Sequence, residues 1–190
     1  MMGIDFTAIL DHQLNWQELY ALPERLNKYW NLPNQLQSWV SEHVRSESTH
    51  WEWELNVKYS NAAEELFEVG YLYLDGPHGF WARVFKQAIE ITHLARWWSF
   101  LDEDDVQNGL RTAIKMIAKI ARSEHILYLP DSSFPPSLAS DILYEGGNIN
   151  DMLTWLKSEV GPPFSDPQVF IKKGTNDWDE RGWFMERAQQ

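Results

Sequence analysis

Between His50 and Leu94 the apolar residues recur at every second position in short runs broken by brief turns. Connections this short cannot carry a parallel crossover, so neighbouring runs must pair antiparallel. In "HWEWELNVKY" Trp51, Trp53, Leu55 and Val57 share one side of a strand, and His50, Glu52, Glu54 and Asn56 share the other. "GYLYLDG" is a second strand that ends on the turn pair Asp75-Gly76. "GFWARVF" and "AIEITHL" are two more, joined at Lys86-Gln87, and "RWWSFL" is read as a fifth.

The period then becomes helical. From Glu103 to Arg122 the residues Val106, Leu110, Ala113, Ile114, Ile117 and Ala121 form one continuous stripe. "HILYLP" follows as a buried strand stopped by Pro130, and "SLASDILYEGG" as a short helix with a Gly-Gly stop. Asn148 or Asn150 opens a last helix, which Gly161-Pro162-Pro163 ends. The first 48 residues read as helical, with Asn15 and Glu18 in a capping-box arrangement. The segment 164–190 has no clear period, yet Phe170, Trp178, Trp183 and Phe184 are too many large apolar groups for a free tail. It is expected to drape over the domain and pack.

The expectation is therefore one globular α+β domain over 1–190. Its parts are a helical region (1–48), the sheet and main helices (49–163) and a packed C-terminal segment (164–190). N-terminal helices would precede a predominantly antiparallel, twisted sheet of about five to six strands, with C-terminal helices packed on one face.

Charge narrows the partners. Sixteen Lys and Arg against 28 Asp and Glu leave a net charge of −12, a field that repels phosphate backbones and attracts basic surfaces. Nucleic acid is thus not an expected partner. With no Cys there is no disulfide, thiolate metal site or cysteine nucleophile. No apolar run approaches membrane-spanning length, and "MMGIDFTAIL" lacks the positive region of a secretion signal, so no membrane association and a cytoplasmic location are expected.

The acidic run Asp102, Glu103, Asp104 and Asp105 first suggests a metal site. Consecutive helical side chains point about 100° apart, however, so the four cannot converge on one ion. They fit the first turn of a helix whose later turns carry Arg111, Lys115, Lys119 and Arg122, with Asp102 or Asp104 as the cap. His50, Glu52 and Glu54 share a strand face, but alternate residues stand about 7 Å apart, which is too far for one ion. Asp131-Ser132-Ser133 follows a strand, a common place for a site, although no G-x-S-x-G elbow accompanies it. His78 lies in the turn "DGPHG", where it could act as a base if the Asp131 loop came near.

From Val106 to Gly147 the order of helix, strand and short "ILYEGG" helix is similar to the later half of coenzyme A-dependent acetyltransferases. That family holds a pyrophosphate on bare amides at the helix start. Here the corresponding place reads "DEDDVQNGLRT", so the resemblance stops at the motif that would imply coenzyme A.

No cofactor, metal or catalytic constellation emerges. The expected function is a non-enzymatic, acidic binding protein that recognises a basic protein partner, as an inhibitor or immunity-type protein does. Its expected contact residues are Asp102, Glu103, Asp104, Asp105, Trp98, Glu52 and Glu54. The alternative is a small-molecule binding domain or enzyme with a site formed by His78, Arg96, Asp131 and Ser132.

Overall fold

The computed structural model describes residues 5–44, 50–57, 62–131, 135–166 and 182–188. Ser132, Ser133, Phe170 and Trp178 lie outside them. The described residues form one antiparallel sheet of seven strands, with helices on both faces. The architecture is α+β, with one or two more strands than the sequence pattern announced.

The first described element is a strand, and the N-terminal helices follow it. β1 (Asp5–Asp11) lies inside the sheet, between β5 and β6, and its five inner residues are all buried. A strand covered on both faces has no alternation to betray it, so "FTAIL" carries no periodic signal. Helices α1 (Trp16–Tyr20), α2 (Leu22–Tyr29) and α3 (Asn34–His43) follow, and α1 opens on the Asn15–Glu18 capping box. β2 is only Glu54–Asn56, so of the described residues 50–57 read as one long strand only this stretch joins the sheet, with an isolated bridge from His50 to Pro77. After α4 (Ala62–Val69) come β3 (Tyr71–Asp75), β4 (Phe80–Phe85) and β5 (Ala88–Arg96), which form the expected meander.

"WWSFLD" is a helix, α5 (Trp97–Asp102), and not a fifth strand. Trp97, Phe100 and Leu101 bury at spacings of three and four, the helical period. α6 (Asp104–Ala121) then crosses the sheet to β6 (His125–Asp131). Its cap is Glu103, with no side-chain hydrogen bond, so neither Asp102 nor Asp104 caps it. Pro130 does not stop β6. β7 pairs with β6 only as far as Tyr128, and Pro130 lies past that ladder. α7 (Pro135–Tyr144), α8 (Ile149–Glu159) and the edge strand β7 (Phe184–Arg187) complete the fold.

Alternate residues of each strand feed two cores. Phe6, Ala8 and Leu10 of β1 point towards α5 and α6, whereas Ile9 points towards Met152 and Leu156 of α8. The C-terminal helices α7 and α8 thus share one face, and α1–α3, α5 and α6 fill the other.

Helix α3 crosses α6 at Gly109, where a Cβ would stand 2.4 Å from Leu36 Cγ and 3.1 Å from its backbone nitrogen. Alanine is the better helix former by about 1 kcal/mol. Overpacking costs about 1–3 kcal/mol, and neither contact is the far end of a flexible chain. Gly109→Ala is therefore expected to lower stability by about 1 kcal/mol net in chemical denaturation. An unchanged or raised midpoint would show that the two helices do not approach so closely.

Candidate functional site

The register brings distant acids to one end of the sheet. Asp5, at the start of β1, lies between Arg96 at the end of β5 and Asp131 at the end of β6. Phe80 pairs with His93, so the β3–β4 turn carrying His78 is at this same end. Asp75 pairs there with Glu54 of β2. Adjacent strands are about 4.8 Å apart, so these groups form a row along the sheet end. Because α5 begins where β5 ends, Trp98 and the acidic start of α6 project from this end too.

Arg96 donates to the Asp5 carboxylate. Burial pushes the Asp5 carboxyl above its ordinary range, the neighbouring Arg96 opposes the rise, and the charge of Asp131 adds to it. His78 occupies the left-handed region at φ 58°, and its carbonyl accepts a hydrogen bond from Nε2 of His93 at 3.1 Å. Sequence order alone could not place Asp5 in this group, because it lies inside what reads as a helical region.

Asp102, Glu103, Asp104 and Asp105 are all exposed, as are Glu52 and Glu54. The adjacent tryptophans divide sharply, Trp97 being 3% and Trp98 46% exposed. Trp51 does not share the buried side of Trp53. It is 72% exposed against 1%, because only the 54–56 stretch is paired in the sheet. Its ring stands edge-on to that of His78, centroids 6.3 Å apart. Leu94, in the β5 segment beside the turn, is also exposed, and Val57 is half-turned to solvent rather than core.

Of the alternative ligand group, His78, Arg96 and Asp131 share this end of the sheet, and Ser132 lies outside the described residues. Arg96 is engaged by Asp5. His50 Nδ1 and Glu54 Oε2 stand 3.6 Å apart.

Three polar clusters have no counterpart in the sequence reading. Glu186 of β7 accepts from Tyr128, from Arg111 at 2.7 Å, and lies 3.1 Å from Lys115 Nζ. These donors hold its carboxyl below the ordinary range in spite of burial, and the Tyr128 hydroxyl is pushed well up, by burial first and then by the Glu186 charge. Glu186, Tyr128 and Arg111 line a recess of about 80 Å³ together with Phe100, Phe184 and Asp166. With both its oxygens engaged, Glu186 staples the edge strand to α6.

On the opposite face Arg83 donates to the buried Glu90 at 2.7 Å, and its guanidinium lies over the Tyr144 ring. Burial, aided by the Glu90 charge, pushes the Tyr144 hydroxyl up to about 12. The third cluster is Asp11, Glu124 and His125, at the other end of the sheet. Each of the three clusters joins residues from separate elements, and no local spacing announces such a meeting.

No protein-family model, curated protein or solved structure matches the chain.

Proposed function

We propose that this end of the sheet is the docking surface of a non-enzymatic binding protein that recognises a basic protein partner, in the manner of an inhibitor or immunity-type protein. One observation carries the reading. Strand register and the α5–α6 junction set exposed carboxylates (Glu52 and Glu54 on one side, Asp102 to Asp105 on the other) around the exposed apolar groups Trp51, Leu94 and Trp98.

The other end is differently charged. There Arg122 bonds Glu18 and the Gln13 carbonyl, and Arg25 bonds the Ile120 carbonyl and stands 3.8 Å from Glu18. Arg25 and Arg122 there are matched with Glu18, whereas the exposed Glu52, Glu54 and Asp102 to Asp105 gather negative charge at the docking end. Such a field steers a basic partner and speeds the encounter, while half-exposed tryptophans supply the anchors that hold it. The same field argues against nucleic acid as the partner. Among the described residues no helix is long and apolar enough to cross a membrane.

The test begins with capture of a partner on the immobilised protein at low salt, followed by kinetics with that purified partner. Reversing Asp102, Glu103, Asp104 and Asp105 to Lys is expected to slow association at least about tenfold at 50 mM salt. The gap should close near 500 mM, where the Debye length falls to about 4 Å. Trp98→Ala is expected to speed dissociation instead. A partner bound equally well by all variants, at a rate indifferent to salt, would refute the reading.

A further inference from the structure

At the end of the sheet away from the acidic surface, β1 finishes on Asp11 and β6 starts on His125, and Glu124 immediately precedes it. One oxygen of Asp11 is fully engaged. Oδ1 accepts from Ser123 Oγ at 2.7 Å, from the Glu124 amide at 2.9 Å and from the His125 amide at 2.8 Å. The carboxylate is thereby fixed in orientation, and Oδ2 is turned to the imidazole of His125. One donor atom each from Asp11, Glu124 and His125 lie within 4.8 Å of one another.

The spacing of Oδ2 and Nδ1 is informative. They are 3.4 Å apart, well beyond the usual 2.7–2.9 Å of a charge-assisted hydrogen bond. Two ligands about 2.0–2.1 Å from one tetrahedral ion stand about 3.3 Å apart. The pair is therefore set at the separation of two atoms sharing a metal. Glu124 is exposed and its Oε1 accepts from Gln13 Nε2 at 3.0 Å, so a small rotation of its side chain closes the remaining gap to the ion. Arg122, the nearest cation in sequence, is directed to Glu18 and the Gln13 carbonyl.

We propose that Asp11, Glu124 and His125 bind one divalent first-row transition-metal ion, with solvent completing its coordination. An imidazole nitrogen among the ligands selects ions such as Zn²⁺ or Co²⁺ over Mg²⁺ and Ca²⁺, which take oxygen. The hydrogen bonds to Asp11 Oδ1 are the outer layer that orients the ligand before the ion arrives. The site lies apart from the docking surface and stands or falls independently of it.

The test titrates Co²⁺ into the metal-free full-length chain and follows visible absorption and calorimetric heat. One ion per chain is expected to bind with a micromolar Kd, and an excess of Mg²⁺ should not displace it. Glu124→Gln and His125→Gln should each weaken binding at least about tenfold. His50→Gln, near the opposite end of the sheet beside Pro77, should leave it unchanged. Asp11 also ties down the 123–125 turn, so the two decisive variants retain it, and circular dichroism confirms that they fold. Absence of binding below about 1 mM Co²⁺, or wild-type affinity in both variants, overturns the proposal.

Discussion

Lowering the pH from 7 to 4.5 is expected to cost the fold about 2–3 kcal/mol through His93. This histidine is fully buried, and burial depresses its pKa from 6.5 to about 3. Its two nitrogens are both committed. Nδ1 accepts from the Ala95 amide at 2.9 Å, and Nε2 donates to the His78 carbonyl at 3.1 Å. A second proton would have to sit on Nδ1, facing another donor, within a cage that includes Phe80 and Trp39.

The sign follows from linkage. Below pH 6.5 the unfolded chain takes up a proton that the native chain refuses. The stabilisation is thus complete above that pH and is lost as the pH falls towards about 3. His12 adds to the loss in the same direction, because burial lowers its pKa too and it makes the same kind of contacts, with Phe85 and Leu14. Asp11 and Glu186 have lowered pKa values, so their stabilisation is lost only below the ordinary carboxylate range, as pH falls through their folded values. Urea unfolding at pH 7 and 4.5 therefore leaves those two carboxylates largely out of the comparison, and the raised pKa of Asp5 acts in the opposite sense to the histidines, so a variant is needed to assign the loss. His93→Gln retains a hydrogen-bonding side chain without the titration, and should flatten the dependence markedly. A wild-type difference below about 0.5 kcal/mol would remove His93 from this role.

Trp183→Ala should be the most damaging single truncation, at about 3–5 kcal/mol. Trp183 is fully buried among Ile9, Leu127, Leu129 and Met152, and its Nε1 donates to the Gly161 carbonyl at 3.0 Å. Its own carbonyl accepts from the Phe164 amide at 2.9 Å. The next residue, Phe184, enters the opposite core, so the start of β7 is clamped through both faces of the sheet. Removing the indole opens a large cavity and strands a carbonyl. Hydrogen exchange should show β7 amides and their β6 partners losing protection first, while Met185→Ala, at a side chain 37% exposed, stays within about 0.5 kcal/mol of wild type. A loss below about 1 kcal/mol for Trp183→Ala would mean that the C-terminal strand contributes little to the fold.

Elements with one wet face and one dry face were legible in the sequence. β3 and most of β4 alternate as written, and the stripe from Val106 to Ala121 is the buried face of α6. β5 alternates in sequence although it is buried on both faces from Ala88 to His93, because Glu90 is buried against Arg83 and Thr92 against Thr7. Asn15 and Asn148 both form capping boxes. β1 was hidden because it is covered on both sides. "RWWSFL" was misread because two adjacent aromatics suit a strand, although Trp97, Phe100 and Leu101 already carried the helical spacing. Of the groups at the Asp131 end of the sheet, the acidic run and Trp98 are nameable from composition and order, and Asp5 is not.

The sequence by itself therefore determined the types of most elements with one buried face, the acidic surface, and the packing of Trp183 and Phe184. Only the tertiary structure decided which residues meet. Asp5 with Arg96 and Asp131, Asp11 with His125, and Glu186 with Tyr128 and Arg111 are joined across separations that no local period spans. The physical reason is that periodicity reports the one face an element hides from water, whereas a site is made by side chains from several elements. Strand order and register alone settle which of those side chains share an end of the sheet.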